Sequence, residues 1–285
     1  MSKQEQAAGE FYIGWLPDAP HGIAKHIRKV VIALAVLVVT GGTVLALLQK
    51  KFSTANFEFG QLTAIKGVYY EFPVPSLKVL SSRDAFGRST YVTIPLVGYG
   101  KFGAEGLIRE LEQERNTSLQ EKLVTFKGTL LYSDGKALLQ IDRNDSPLVA
   151  IANASKKDLA TDTEELGTMQ LNGEVLDPKC YFGVMKPGHG KPHRDCATRC
   201  IAGGISPVFW VRNTKGGSDY YLILDENGEK MNAALKDHIG EPLSLYARAV
   251  RFNDWIVLYT DKKSIKTSSK LSWFKSPDQT ISCAR

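Results

Sequence analysis

From residue 56 onward, apolar and polar positions alternate in short runs, and the alternation is laid down twice. "EKLVTFKGTLLYSDGKALLQID" (121–142) and "EPLSLYARAVRFNDWIVLYTD" (241–261) align at an offset of 120 residues. Each reads as a β-hairpin: a period-two run, a turn at Ser133-Asp134-Gly135 or Asn253-Asp254, and a second apolar strand. A helical stretch precedes each hairpin, "GAEGLIRELEQERN" and "NAALKDHIG". Further upstream each half opens on a strand rich in branched or aromatic residues, "GQLTAIKGVYYEF" and "MQLNGEVLDPKCYF". A strand, one or two middle strands, a short helix and a closing hairpin is the element order of a small five-stranded barrel. The pattern predicts a mostly β chain with short helices, in which tandem five-stranded barrels occupy 56–142 and 168–262. A polar linker is expected over 143–167 and a basic C-terminal tail over 263–285.

Ahead of the barrels the periodicity disappears. Val30 to Leu48 run nineteen residues without a charge, between Arg28-Lys29 and Lys50-Lys51. At 1.5 Å per residue this spans roughly 28 Å, the hydrocarbon thickness of a bilayer, and it predicts one transmembrane helix over 30–48. A buried core helix would show a polar stripe, and a cleaved signal would have a shorter apolar core and a small-residue cleavage site. The span is therefore read as a retained anchor. Lys25, Arg28 and Lys29 outnumber Lys50 and Lys51, which places the N-terminus in the cytoplasm and the barrels on the far side of the membrane. In the pre-helix segment 1–29, Phe11, Tyr12 and Trp15 precede two prolines. These rings either rest at the headgroup level or form a docking strip for an integral membrane subunit.

Composition narrows the function. With 43% hydrophobic and 23% charged residues the chain is globular, and its net charge of +6 raises the question of an anionic partner. The first 48 residues carry +1 and the last 25 carry +4, so the folded middle is close to neutral. The element order resembles the oligonucleotide/oligosaccharide-binding (OB) barrel, a class that often binds single strands through a basic groove. The neutral middle supplies no such groove, and no nucleic-acid partner is expected.

Candidate chemistry concentrates in "CYFGVMKPGHGKPHRDCATRC" (180–200), which holds three of the four cysteines and two of the five histidines. "GVMKPGHGKP" is an irregular loop by its glycines and prolines. "HRDCATRCIAGG" reads as a short helix with Asp195 as N-cap and Gly203-Gly204 as its stop. Cys196 and Cys200, four apart, then share one helix face about 6 Å apart. With the helix beginning at Cys196, His193 can turn back from the preceding loop while Cys180 arrives from the strand end. Cys180, His193, Cys196 and Cys200 are the donor set of a closed zinc site, and also a possible set for an iron–sulfur or copper centre. His189 is read as a solvated loop residue.

Two alternatives stand beside a metal. An even cysteine count in an exported chain is compatible with disulfides among Cys180, Cys196, Cys200 and Cys283. A thiol-redox pair, Cys196 and Cys200, is the third possibility. His193 favours the metal, because a staple does not need an imidazole three residues before a cysteine.

The same residues resemble a pattern, G-x-V-x-D-x-x-C-Y followed by H-x-x-C-A-x-x-C-x-x-x-G, that recurs in membrane-anchored or exported bacterial proteins. Gly173, Val175, Asp177, Cys180, Tyr181, His193, Cys196, Ala197, Cys200 and Gly204 carry the match. The resemblance implies an accessory component of an envelope or respiratory complex in the bacterial plasma membrane. The single span and barrel also resemble the haem chaperones of cytochrome c maturation. The histidine of their C-terminal H-x-x-x-Y stretch is absent, as is any C-x-x-C-H for covalent haem.

Enzyme signatures are missing: there is no G-x-S-x-G, no H-E-x-x-H and no phosphate-binding loop. Gly98, Gly100 and Gly103 have G-x-G-x-x-G spacing but lack a dinucleotide-binding context, and read as a lead-in to the first repeat's helix. Asp177, Asp219, Asp225 and Glu226 are expected at turns or on the surface. The sequence thus predicts a non-enzymatic or electron-transfer subunit with lipid and integral membrane partners.

Overall fold

The computed structural model describes residues 21–49, 55–83, 89–212 and 217–268. The chain divides into two compact units, Met1–Ser53 and Thr54–Arg285. The docking candidates Phe11, Tyr12 and Trp15, and Cys283 at the other end, lie outside the described residues.

In the first unit, α1 (His21–Gln49) contains one stretch, Gly22–Leu48, long and apolar enough to cross a membrane. It extends further toward the N-terminus than the apolar run alone predicts. Lys25, Arg28 and Lys29 are good helix formers and continue it. Its apolar side chains, Leu37 and Val38 among them, are exposed, which a core helix would not tolerate.

The second unit holds two closed five-stranded barrels of OB type. β1 (Asn56–Phe57) precedes the first, which is built from β2 (Thr63–Tyr70), β3 (Ser76–Arg83), β4 (Ser89–Gly98), α2 (Glu105–Arg115), β5 (Lys122–Ser133) and β6 (Lys136–Ile141). Its strands run β2-β3-β4-β6-β5, and β5 closes on β2; all pairs are antiparallel except β4 with β6. The hairpin turn works because Asp134 and Gly135 take positive φ of 49° and 78°, the twist that matches paired strands. Ile108 and Leu111 of α2 plug the interior beside Leu77, Phe126 and Leu139.

Residues 143–167 are not a free linker. β7 (Leu148–Asn153) pairs with β5, α3 (Lys156–Leu159) follows, and β8 (Thr163–Leu176) already belongs to the second barrel. The stretch is polar because the segments on either side of β7 are, and they mask a short apolar edge strand of six residues, so composition over the whole stretch cannot tell it from a linker.

The second barrel continues with α4 (Arg194–Ala202), β9 (Val208–Arg212), β10 (Ser218–Leu224), α5 (Asn232–Leu235), β11 (Leu243–Phe252) and β12 (Trp255–Tyr259). Its order is β8-β9-β10-β12-β11, closed by β11 on β8 and again parallel between β10 and β12. α4 is an insertion between its first two strands. The tail is shorter than composition suggests: β13 (Lys266–Thr267) pairs with β11, and 269–285 lie outside the described residues.

The barrels share a core. Val97, Leu131 and Leu138 of the first pack with Leu176, Phe182 and Trp255 of the second. Trp255 Nε1 donates to Thr93 O at 3.0 Å, and Thr93 N donates to Asp254 Oδ1 at 2.8 Å. Gly103 N donates to Gly203 O at 3.1 Å, an approach of backbone on backbone that a side chain at either position would prevent.

Candidate metal centre

The glycine-rich run after β4 is more than a lead-in to α2. Carbonyls of Gly98 and Gly100 each accept from Lys179 Nζ at 2.7 Å, so a lysine of the second barrel is bolted into the first. Burial pushes the Lys179 ammonium down to about 8, opposed by Asp177 and the neighbouring cysteines. This contact fixes the turn that follows β8. Asp177 Oδ1 accepts from Lys179 N at 2.9 Å and Asp177 O accepts from Tyr181 N at 3.0 Å, turning the chain into a single π-helical turn, Cys180–Val184.

The loop then returns along the barrel. Gly190 N donates to Glu174 Oε1 at 2.5 Å, and Lys191–His193 form a 3-10 turn that leads directly into α4. The expected cap is absent: α4 begins at Arg194, His193 occupies the N-cap, and Asp195 is an exposed first-turn residue. The 3-10 turn already orders the backbone ahead of the helix, so no side-chain cap is needed there. Packing sets the rotation of α4. Ala197 and Ile201 enter the second barrel's core, which turns Cys200, and Cys196 at its edge, toward the shared core between the barrels.

The three sulfurs meet. Cys180, Cys196 and Cys200 lie within 4.8 Å of one another, and Cys180 Sγ stands 3.8 Å from Cys196 Sγ. All three thiols are free, so none of the disulfides considered among them is formed. A separation of 3.8 Å is far outside the S–S bond length of about 2.05 Å. It equals the edge of a tetrahedron with metal–sulfur bonds of about 2.3 Å.

His193 reaches the cluster from the other side. Asp177, Cys180 and His193 form a second group within 4.8 Å of one another, so Cys180 belongs to both. His193 is 1% exposed, and neither ring nitrogen has a hydrogen-bond partner; Asp177 is fully buried and its Oδ2 is likewise unpartnered. Orphaned buried groups of this kind cost about 1–3 kcal/mol each, more for a charge. Burial, with Lys101, pushes the His193 imidazolium down against the pull of Asp177 and keeps the ring in its neutral, ligating form. The Cys200 sulfur, burial and the Asp177 charge push the Cys180 thiol well up, because closely spaced acids cannot all ionise without a cation.

Lys101, delivered by the glycine-rich run, completes the arrangement. Its Nζ donates to Cys196 Sγ at 3.1 Å and to Cys200 Sγ at 3.8 Å, and the Cys196 contact holds its ammonium above the usual lysine range. Sequence reasoning missed Lys101 and set Asp177 at a turn or on the surface. Asp177 did stand inside the recurring motif, three residues before Cys180. His189 is half-buried rather than freely solvated: it packs on Trp210 and Tyr181, ring centroids 5.2 and 6.1 Å away.

No protein-family model and no curated protein matches the chain. Among solved structures, a deletion mutant of the single-stranded DNA-binding protein from Thermus aquaticus aligns over 77% of this chain and 90% of its own, at 12% identity. The TM-score is 0.19, so the alignment carries no argument about fold or function.

Proposed function

We propose that the protein is a membrane-anchored accessory subunit of a bacterial membrane complex, and that its second barrel holds a metal ion through the Cys180–Cys196–Cys200 group. In this reading α1 spans the plasma membrane, the N-terminus is cytoplasmic and both barrels stand on the far side, against integral membrane subunits. The supporting observation is the sulfur geometry: unbonded sulfurs at a metal-ligand separation, with a buried neutral imidazole beside them. Zinc is the leading ion, with an iron–sulfur or copper centre as its redox-active counterpart. The ion serves structure or electron transfer rather than hydrolysis: the cleft of about 770 Å³ between Tyr69, Arg109 and Lys230 is lined by none of the candidate ligands.

Purification of the full chain in mild detergent, followed by elemental analysis and identification of co-purifying subunits, tests both halves. Stoichiometric metal with membrane partners is the expected result; a metal-free protein with full thiol reactivity refutes it.

One observation favours a second reading. Cys196 is partly exposed and sits against the Lys101 ammonium, an environment that suits a thiol-exchange or assembly factor working through Cys196 and Cys200. Disulfide exchange that Cys196→Ser abolishes, in protein containing no metal, selects that reading.

A further inference from the structure

The two ligand groups invite comparison as coordination sites. The first offers three sulfurs; the second offers a sulfur, an imidazole nitrogen and a carboxylate oxygen, and the two meet only at Cys180. If a single ion sat among the sulfurs, Asp177 Oδ2 would keep no partner in a place with no surface exposure. Thiolates readily bridge soft and borderline ions, and a thiolate placed between two donor sets is the simplest way for a small protein to hold two.

Charge points the same way. Three thiolates and one carboxylate carry four negative charges, which two divalent ions balance. The Lys101 chain is partly exposed and can swing aside, while the Lys179 ammonium is already held by the carbonyls of Gly98 and Gly100.

We infer that the centre is dinuclear: one ion is held by Cys180, Cys196 and Cys200, a second by Asp177, Cys180 and His193, and the Cys180 sulfur bridges them. Each ion has three protein donors and one remaining position. The second ion sits in the harder, mixed donor set and is the more weakly held. This inference rests on the metal-binding reading above and adds the second site.

The test uses the full-length chain in detergent, reduced, stripped with chelator and reloaded with zinc, with bound metal counted after gel filtration. The wild type is expected to retain two equivalents. Asp177→Asn, which keeps side-chain shape, and His193→Gln, which removes the imidazole donor, are each expected to retain one. Cadmium-113 NMR of the unmodified protein supplies an arm that needs no variant: two resonances, one from a sulfur-rich and one from a mixed site, coupled through the shared sulfur. One equivalent and a single resonance, with the Asp177 variant unchanged, overturns the second site and leaves the sulfur site standing. No bound metal and no resonance overturns both.

Discussion

Lys101 of the first barrel donates to Cys196 of the second, Nζ to Sγ at 3.1 Å, across ninety-five positions of sequence. The contact depends on the glycine-rich run that also grips Lys179, so the thiol group of the second barrel faces the barrel interface. An ammonium in hydrogen-bond contact with a sulfur stabilises negative charge that develops there during reaction. In the metal-free protein, Lys101→Gln is expected to slow alkylation of Cys196 at neutral pH about three- to tenfold, read by mass spectrometry of timed iodoacetamide reactions. An unchanged rate would show that the lysine does not act on the sulfur.

The close backbone approach between the barrels makes a second expectation. A Cβ at Gly103 would lie 2.5 Å from Gly204 O, and one at Gly203 would collide with Lys101 O. Gly103→Ala and Gly203→Ala should each cost about 2 kcal/mol or more, because the two backbones must move apart to admit the methyl group. Gly106→Ala, whose Cβ meets nothing within 4 Å in α2, should be neutral or stabilising by about 0.5–1 kcal/mol. Denaturant unfolding of the three variants separates interface clash from loss of backbone freedom.

Glu174, which anchors the loop through Gly190, has a carboxyl that burial pushes up to about 7, against the Gly190 hydrogen bond and the Arg212 charge. Its folded pKa lies above its unfolded one, so the folded state binds the extra proton between about pH 4.5 and 7. Stability is therefore fullest below that window and falls as pH rises through it, by roughly 1–3 kcal/mol. Glu174→Gln keeps an oxygen for Gly190 and should flatten this slope. Equal slopes in the two proteins, measured by urea midpoints from pH 4.5 to 8, would rule the residue out as their source.

Metal should protect its ligands. In zinc-loaded protein, iodoacetamide is expected to spare Cys180, Cys196 and Cys200; chelator should make all three reactive, and prolonged air oxidation of the stripped protein should then link Cys180 to Cys196. Peptide mapping reads each outcome. Alkylation of Cys200 as fast in loaded as in stripped protein would count against coordination.

The barrels were legible because each depends on local signals: alternation in Lys122–Ser133 and Leu243–Phe252, turn residues at Asp134-Gly135, and the α2 pattern. β7 was not, since its six mostly apolar residues stand between polar flanks that carry the composition of a linker. The three cysteines were recognisable as a cluster by spacing. That Asp177 joins them and Asp195 does not cap α4 turns on burial and backbone path, which spacing does not encode.

By itself the sequence determined what nearest neighbours along the chain can settle: an apolar span of bilayer length, two repeats of strand, helix and hairpin, and a loop carrying sulfur and imidazole. Tertiary structure decided which side chains meet. The packed fold buries Asp177 and His193, brings Lys101 and Lys179 across the barrel interface, and divides one run of candidate ligands into two groups about a common sulfur. The physical reason is that coordination and desolvation depend on distances of a few ångströms between residues up to a hundred positions apart, and only the packed core fixes those.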